Sequence, residues 1–205
     1  ETISKIYKKN PKRLLKRLWQ TLFPIFTYIF SVGWDKLTGR LKNEAKARLR
    51  ARELTNLLVE LGPAFVKAGQ ALSTRPDIIP SILLEELSEL QDQLPGFDGD
   101  KAMELIEEDL GNKIDEIFLE IDKEPISAAS LGQVHKAKLK NEEIVAIKVQ
   151  RPGLREQITL DLYIVRNIAF WLKNNVGLIR SDLVALIDEL GKRVFEEMDY
   201  LNEAA

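Results

Sequence analysis

The stretch Ser127-Ala-Ala-Ser-Leu-Gly-Gln-Val-His-Lys-Ala-Lys-Leu-Lys-Asn-Glu-Glu-Ile-Val-Ala-Ile-Lys-Val149 decides the fold. Residues 133–139 and 143–149 are two runs of β-type composition, and Lys140-Asn141-Glu142 between them predicts a hairpin turn. Arg151-Pro152-Gly153 ends the second run. The residues before the first run, 127–132, are almost all small, so their backbone N–H groups can approach an anion.

Outward from this hairpin the spacing is helical. Upstream, Leu41, Ala45, Leu49, Leu54, Leu57, Leu58 and Leu61 share one face of a helix with a charged back. Gly62-Pro63 breaks it, and Pro63 opens a second helix through Phe65, Val66 and Ala68 to Leu72. Pro80 opens a third, with Ile82, Leu83, Leu84, Leu87, Leu90 and Leu94 inside. A loop, 94–100, offers Asp98 or Asp100 as cap of a fourth helix that ends near Gly111. Downstream, residues 154–175 and 181–203 return to helical spacing. The predicted class is α+β: helices, a small antiparallel sheet, then helices.

Composition narrows the chemistry. The 205 residues include no cysteine and one histidine. Disulfides, thiolate metal sites and a cysteine nucleophile are excluded, and a histidine-based zinc site or Ser/His/Asp triad is disfavoured. The net charge of −2 hides an asymmetry: residues 1–34 carry +6, so the remaining 171 carry −8. The basic residues (Lys5, Lys8, Lys9, Lys12, Arg13, Lys16, Arg17) precede an aromatic segment, Trp19 to Trp34. That segment falls short of the roughly 20 apolar residues of a membrane span, and Pro24 and Gly33 are expected to interrupt it. No small-residue cleavage site follows it, which argues against a signal peptide. Cations followed by aromatics suit a segment lying in lipid headgroups, residues 1–34 being the lipid-facing part. A helix packing its aromatics on the rest of the protein is the competing reading. Basic and aromatic residues are segregated rather than interleaved, so no nucleic-acid partner is expected.

The candidate site residues come from four motifs. Lys148, in Val145-Ala-Ile-Lys148, sits at a strand centre between apolar neighbours. In protein kinases such a lysine pairs nucleotide phosphates with a helix glutamate. Fourteen residues upstream is Val134, preceded by Gly132. Laying the glycine-loop pattern G-x-G-x-x-G-x-V here places Ser127, Ala129 and Gly132 at the glycine positions, and only the third is glycine. If the backbone at Ala129 wants φ > 0, alanine there is strained. Lys67-Ala-Gly-Gln70 puts Lys67 and Gln70 one turn apart on a helix face. The last motif is Glu196-Glu-Met-Asp-Tyr-Leu-Asn-Glu-Ala-Ala205. Within it Asp199 and Glu203 share a face of an ideal helix. Glu197 and Asp199 lie about 200° apart, so one of them points elsewhere or the helix is irregular. His135 is read as structural.

Taken in order, these motifs resemble the UbiB family of atypical kinase-like proteins, also called aarF-domain-containing kinases, over residues 40–205. The resemblance divides the chain into a membrane-proximal segment (1–40), a helical extension carrying K-x-G-Q (41–122) and a kinase-like small lobe (123–205), with the carboxy-terminal lobe absent. It implies that Lys67 and Gln70 of K-x-G-Q and Glu197 and Asp199 of E-x-D serve catalysis. It implies that Ala128, Ala129, Ser130 and Gly132 of the alanine-rich loop, Lys148 and its partner Glu203 hold the nucleotide. The implied cofactors are ATP and Mg²⁺, the metal ligands being expected in the lobe not present here. No H-R-D-like or D-F-G motif occurs in the sequence. The implied activity is a lipid-associated ATPase or kinase supporting quinone or other isoprenoid lipid metabolism. Its expected partners are lipid-pathway proteins or a small lipid-like substrate. A non-catalytic pseudokinase scaffold responding to nucleotide or lipid is the alternative, and a purely structural membrane-attached helical protein a third reading. Abundant Lys and Ile and the lack of a targeting peptide fit a membrane-associated protein on a bacterial-type cytoplasmic face, an organellar face staying open.

Overall fold

The computed structural model describes residues 11–77, 79–91, 95–175 and 183–200. They form two compact units, Glu1–Leu90 with Arg155–Ala205, and Gln91–Leu154.

The first unit is helical. Its elements are α1 (Pro11–Leu37), a 3₁₀ turn (Arg40–Lys42), α2 (Glu44–Leu61), α3 (Pro63–Ser73) and α4 (Ser81–Ser88) with a 3₁₀ turn (Glu89–Gln91). After the second unit come α7 (Leu154–Asn175) and α8 (Leu183–Glu197). Asn43 caps α2 by accepting from the Lys46 N–H, so the helix starts after Leu41 rather than at it. Gly62, at φ 111°, turns the chain into α3, whose first residue is Pro63. Helix α4 ends at Ser88, which puts Leu90 in the 3₁₀ turn and not inside the helix. Leu94 lies outside the described residues.

Helix α1 corrects one expectation. It runs for 27 residues without a break, straight through Pro24 and Gly33. A proline interior to a helix removes one N–H bond, and the turns on either side carry the helix across. One face of α1 packs inward: Leu14 and Leu18 meet Leu160 and Ile164 of α7. Arg17 donates to both oxygens of Asp161, at 2.6 and 2.7 Å, and to the carbonyl of Leu61. Farther along, Tyr28 donates to the Arg50 carbonyl, and buried Asp35 accepts from Arg50 at 2.7 Å with Lys46 3.6 Å away. Burial pushes the Asp35 carboxyl up, but Arg50 and Lys46 outweigh it and hold the pKa below the ordinary range. At Asp161 the balance reverses: burial outweighs Arg17 and the pKa is raised. Apart from Tyr28, the aromatics of α1 do not pack inward. Leu15, Trp19, Leu22, Phe23, Phe26, Ile29, Phe30, Trp34 and Leu37 are all exposed, between 41% and 84%. At 100° per residue they fall within an arc of about 140°, centred about 130° from Leu14 and bordering Leu18 at its edge. Among the described residues no helix is long and apolar enough to cross a membrane.

The second unit contains α5 (Gly99–Leu110), α6 (Ile114–Ile117), β1 (Phe118–Ile121), β2 (Ser127–Ala128), β3 (Gly132–Leu139) and β4 (Ile144–Gln150). Asp98 caps α5 by accepting from the Lys101 N–H, and Gly111, at φ 67°, closes it. Strand β3 is central, with β4 along one side and β1 and β2 along the other, all antiparallel. The β3–β4 hairpin falls where the sequence puts it, and Glu142 in its turn takes φ 71°. Strands β1 and β2 are additions to the sequence reading. One face of the sheet, with Ala137, Val145, Ile147 and Val149, packs on Ala102, Met103 and Ile106 of α5 together with Phe118. The other face carries Val134, Lys136, Ala146 and Lys148.

The Arg17–Asp161 pair gives a stability test. The Asp161 side chain is 0% exposed, so Arg17→Ala strands a buried charge and is expected to cost about 3–5 kcal/mol in denaturant unfolding at pH 7. Adding Asp161→Asn should restore most of that loss. With Arg17 gone the Asp161 pKa rises further, and a raised acid stabilises the fold once it is protonated. Arg17→Ala should therefore regain stability relative to wild type as pH falls from 7. A constant deficit across pH would contradict the pairing.

Candidate functional site

The small-residue loop is the turn between β2 and β3. Ser127 pairs with Val134 and Ala128 with Gln133, and the Ala129 N–H donates to the Gly132 carbonyl at 2.8 Å. Ala129, Ser130 and Leu131 thus form a tight connection, with Ser130 buried. Among the described residues Glu142 is the one non-glycine at positive φ. Ala129 is therefore unstrained, which corrects the expectation of a conformational penalty there. Alanine fits because the loop closes as an ordinary hairpin.

Lys148 lies on β4 opposite Val134, and Val134 lies opposite Ser127. Ser127, Val134 and Lys148 therefore form one row across three strands, on the face turned away from α5. Lys148 is exposed, and the lysine projects from the strands that carry the loop.

What holds the loop is a set of polar contacts behind it. Gln133, 1% exposed, accepts from the Phe97 N–H at 2.8 Å and donates to the Phe97 carbonyl at 3.2 Å. Its amide nitrogen also lies 3.0 Å from His135 Nε2. His135 Nδ1 faces the Asp122 carbonyl at 2.8 Å. A carbonyl only accepts, so Nδ1 carries the proton and Nε2 accepts from Gln133: a neutral, fully used imidazole. A Cβ on Gly96 would come 2.9 Å from Gln133 Oε1, so glycine lets the 95–97 segment sit against the amide. Arg151 completes the set. It donates to the Ala129 carbonyl at 3.2 and 3.0 Å and to the Pro95 carbonyl at 2.6 Å, with its guanidinium 5.9 Å from the Phe97 ring centre. In the sequence Arg151 reads only as part of a turn, and Phe97 only as a residue of the 94–100 loop. The available signal was the polar pair Gln133 and His135 on the inward-facing positions of a strand.

In the helical unit the structure brings Lys67 of α3 and Glu197 of α8 into an ion pair. Gln70 points elsewhere, donating to the Leu90 carbonyl at 2.8 Å. A Cβ on Gly69 would lie 2.6 Å from Leu90 Cδ1 and 2.8 Å from Leu58 Cδ1, which explains the glycine of K-x-G-Q as a close helix contact. Glu197 is the last residue of α8, and Asp199 follows in a turn closed by its own N–H to the Glu196 carbonyl at 3.1 Å. Helix α8 ends before Asp199, and the expected shared helix face of Asp199 and Glu203 extends into residues outside those described. Glu203 lies outside the described residues. Among the described residues no three His, Cys, Asp or Glu side chains gather to hold a metal ion.

A strand-centre lysine in one row with a tight small-residue hairpin is an arrangement compatible with the kinase-like class. Residues 89–205 match the family model described as the ABC1 atypical kinase-like domain, more than half of the chain, and the chain belongs to that family. Curated relatives agree. An uncharacterized aarF domain-containing protein kinase of Arabidopsis thaliana, named as chloroplastic, is 50% identical over 209 residues, covering 98% of this chain and 29% of its own length. The chloroplastic protein ACTIVITY OF BC1 COMPLEX KINASE 3 of the same plant is 42% identical over 205 residues, covering 100% and 29%. An uncharacterized protein of Synechocystis sp. is 51% identical over 204 residues, covering 100% and 30%. The chain thus spans less than a third of the length of these relatives. A solved Mycobacterium tuberculosis structure, a complex with erythromycin, is 32% identical with a TM-score of 0.45, over 81% of this chain and 41% of that one.

The Gln133 contacts predict a measurable cost. Gln133→Leu leaves the Phe97 N–H and carbonyl and His135 Nε2 without their partner, which is expected to destabilise the fold by about 1–3 kcal/mol in denaturant unfolding. A change within error would show that this amide does not hold the 95–97 segment.

Proposed function

We propose that the full-length protein containing this chain binds MgATP and hydrolyses it or transfers its γ-phosphate at a membrane surface, in support of quinone or other isoprenoid lipid metabolism. The observation that carries this reading is the row Ser127–Val134–Lys148, which aligns a strand lysine with the small-residue loop on one sheet face. An ammonium there supplies a charge-assisted contact to a polyphosphate, and the loop backbone supplies neutral donors. Lys67 and Glu197, with Gln70 and Asp199 nearby in sequence, are proposed to serve the same nucleotide chemistry, and Glu203 to pair with Lys148. The ligands of Mg²⁺ are proposed to come from the carboxy-terminal lobe of the full-length protein.

The membrane part rests on α1. Nine large apolar side chains, with tryptophans at positions 19 and 34, stay exposed along one stripe. Lys12, Arg13 and Lys16 lie at its start, and Lys36, Arg40 and Lys42 at its end. An apolar stripe with cations at both ends suits a helix lying in an anionic lipid interface. The relatives named as chloroplastic point to an organellar or cyanobacterial membrane as the setting.

Two measurements test the reading. Lys148→Ala in the full-length protein should weaken MgATP binding by about 1.5–3 kcal/mol in calorimetric titration with little change in melting temperature. Unchanged affinity would make Lys148 an ordinary strand lysine. MgATP turnover by the same protein then separates an enzyme from a nucleotide-responsive scaffold.

The variant Trp19→Ser/Phe26→Ser/Phe30→Ser should lose at least about tenfold in affinity for anionic vesicles, since burying each such side chain is worth about 1.5–3 kcal/mol. Added salt should weaken wild-type binding as well. Equal vesicle binding by the variant and the wild type would remove α1 from the membrane contact.

A further inference from the structure

We propose that Arg151 is a positioning residue for the phosphate grip of the loop. This rests on the nucleotide-binding reading above. The guanidinium holds the Ala129 carbonyl through both Nε and Nη2 and the Pro95 carbonyl through Nη2. The Ala129 carbonyl and the Ser130 N–H belong to one planar trans peptide, so they point in opposite directions. Fixing the carbonyl on Arg151 therefore fixes the direction of the Ser130 N–H.

That N–H is one of two donors the loop leaves over among the described residues, the other being that of Leu131. The Ala129 N–H is used within the turn, closing on the Gly132 carbonyl. Ala128 and Gln133 are paired in the ladder. Among the described residues the Ser130 N–H meets no acceptor, although Ser130 is 3% exposed. A nearly buried amide without a partner is unfavourable unless a ligand supplies the acceptor. The acceptor of fitting chemistry is a phosphate oxygen of a nucleoside triphosphate, on the same strands that carry Lys148.

The anchor is itself held. Phe97 lies under the Arg151 guanidinium and is fixed through its backbone by Gln133, the residue paired with Ala128. The loop is thus clasped from two sides: Gln133 in the ladder and Arg151 on the carbonyl. A glycine-rich loop can rotate its peptides to meet a phosphate. Here a planar, two-carbonyl contact from outside the loop sets one peptide direction in advance.

The test uses the full-length protein and two probes, MgATP and adenosine, titrated calorimetrically. Adenosine has the base and ribose but no phosphate. Arg151→Ala is expected to weaken MgATP about tenfold and leave adenosine affinity within about twofold, because only the phosphate donor is misdirected. Arg151→Lys keeps the charge but not the planar fork, and should weaken MgATP about threefold. Should Arg151→Ala fail to fold, Arg151→Lys carries the comparison. Unchanged MgATP affinity in the variants, equal weakening for both probes, or full MgATP affinity in Arg151→Lys beside a loss in Arg151→Ala would each overturn the proposal. A wild-type protein that binds no MgATP would instead overturn the nucleotide reading on which it rests.

Discussion

Polar groups withdrawn from water must find partners, and in this protein those partnerships place the elements that matter. In the sheet unit the amide of Gln133 uses Phe97 and His135, and His135 uses the Asp122 carbonyl. These contacts tie the 95–97 segment and the 122 corner to the central strand. In the helical unit the buried carboxylates do the same work. Asp35 draws in Arg50, Asp161 draws in Arg17, and Glu86 draws in Arg48 and Arg52. Each pair joins residues far apart in sequence, so the helices are set by charge pairing as well as by apolar contact. Removing one partner of such a pair costs far more than the pair contributes in net stability.

Much of this was legible in the sequence. The β3–β4 hairpin follows from two runs of β-type residues and a polar turn, and Asp98, Gly111 and Pro63 marked their helix ends correctly. Local chemistry decided those features. What the sequence did not show are features decided by partners distant along the chain. Strands β1 and β2 have four and two residues, too short for a periodic signal, and exist because β3 offers them a ladder. The unbroken run of α1 through Pro24 is another case, since packing on α7 and the Asp35 and Arg17 pairs hold the helix where propensity alone predicts a break.

The candidate site divides in the same way. Lys67 and Glu197, 130 positions apart, meet as an ion pair, whereas Gln70 turns to the Leu90 carbonyl. The helix carrying Glu197 ends there, which resolves the geometric conflict between Glu197 and Asp199: the second lies in a turn. The alanines of the loop are unstrained, so their consequence is not a conformational penalty but a fixed hairpin with one peptide direction. The phosphate binding proposed for this loop would depend on pre-set donors rather than on flexibility.

The central claim is that the β2–β3 loop and the Lys148 strand form the phosphate-binding face. Hydrogen–deuterium exchange of the full-length protein, with and without MgATP, tests it most directly. The account predicts added protection at amides of residues 128–132, the Ser130 N–H among them, and at 146–149 of the adjoining strand. Protection confined to other parts of the protein, with these amides exchanging at the same rate in both states, would contradict it.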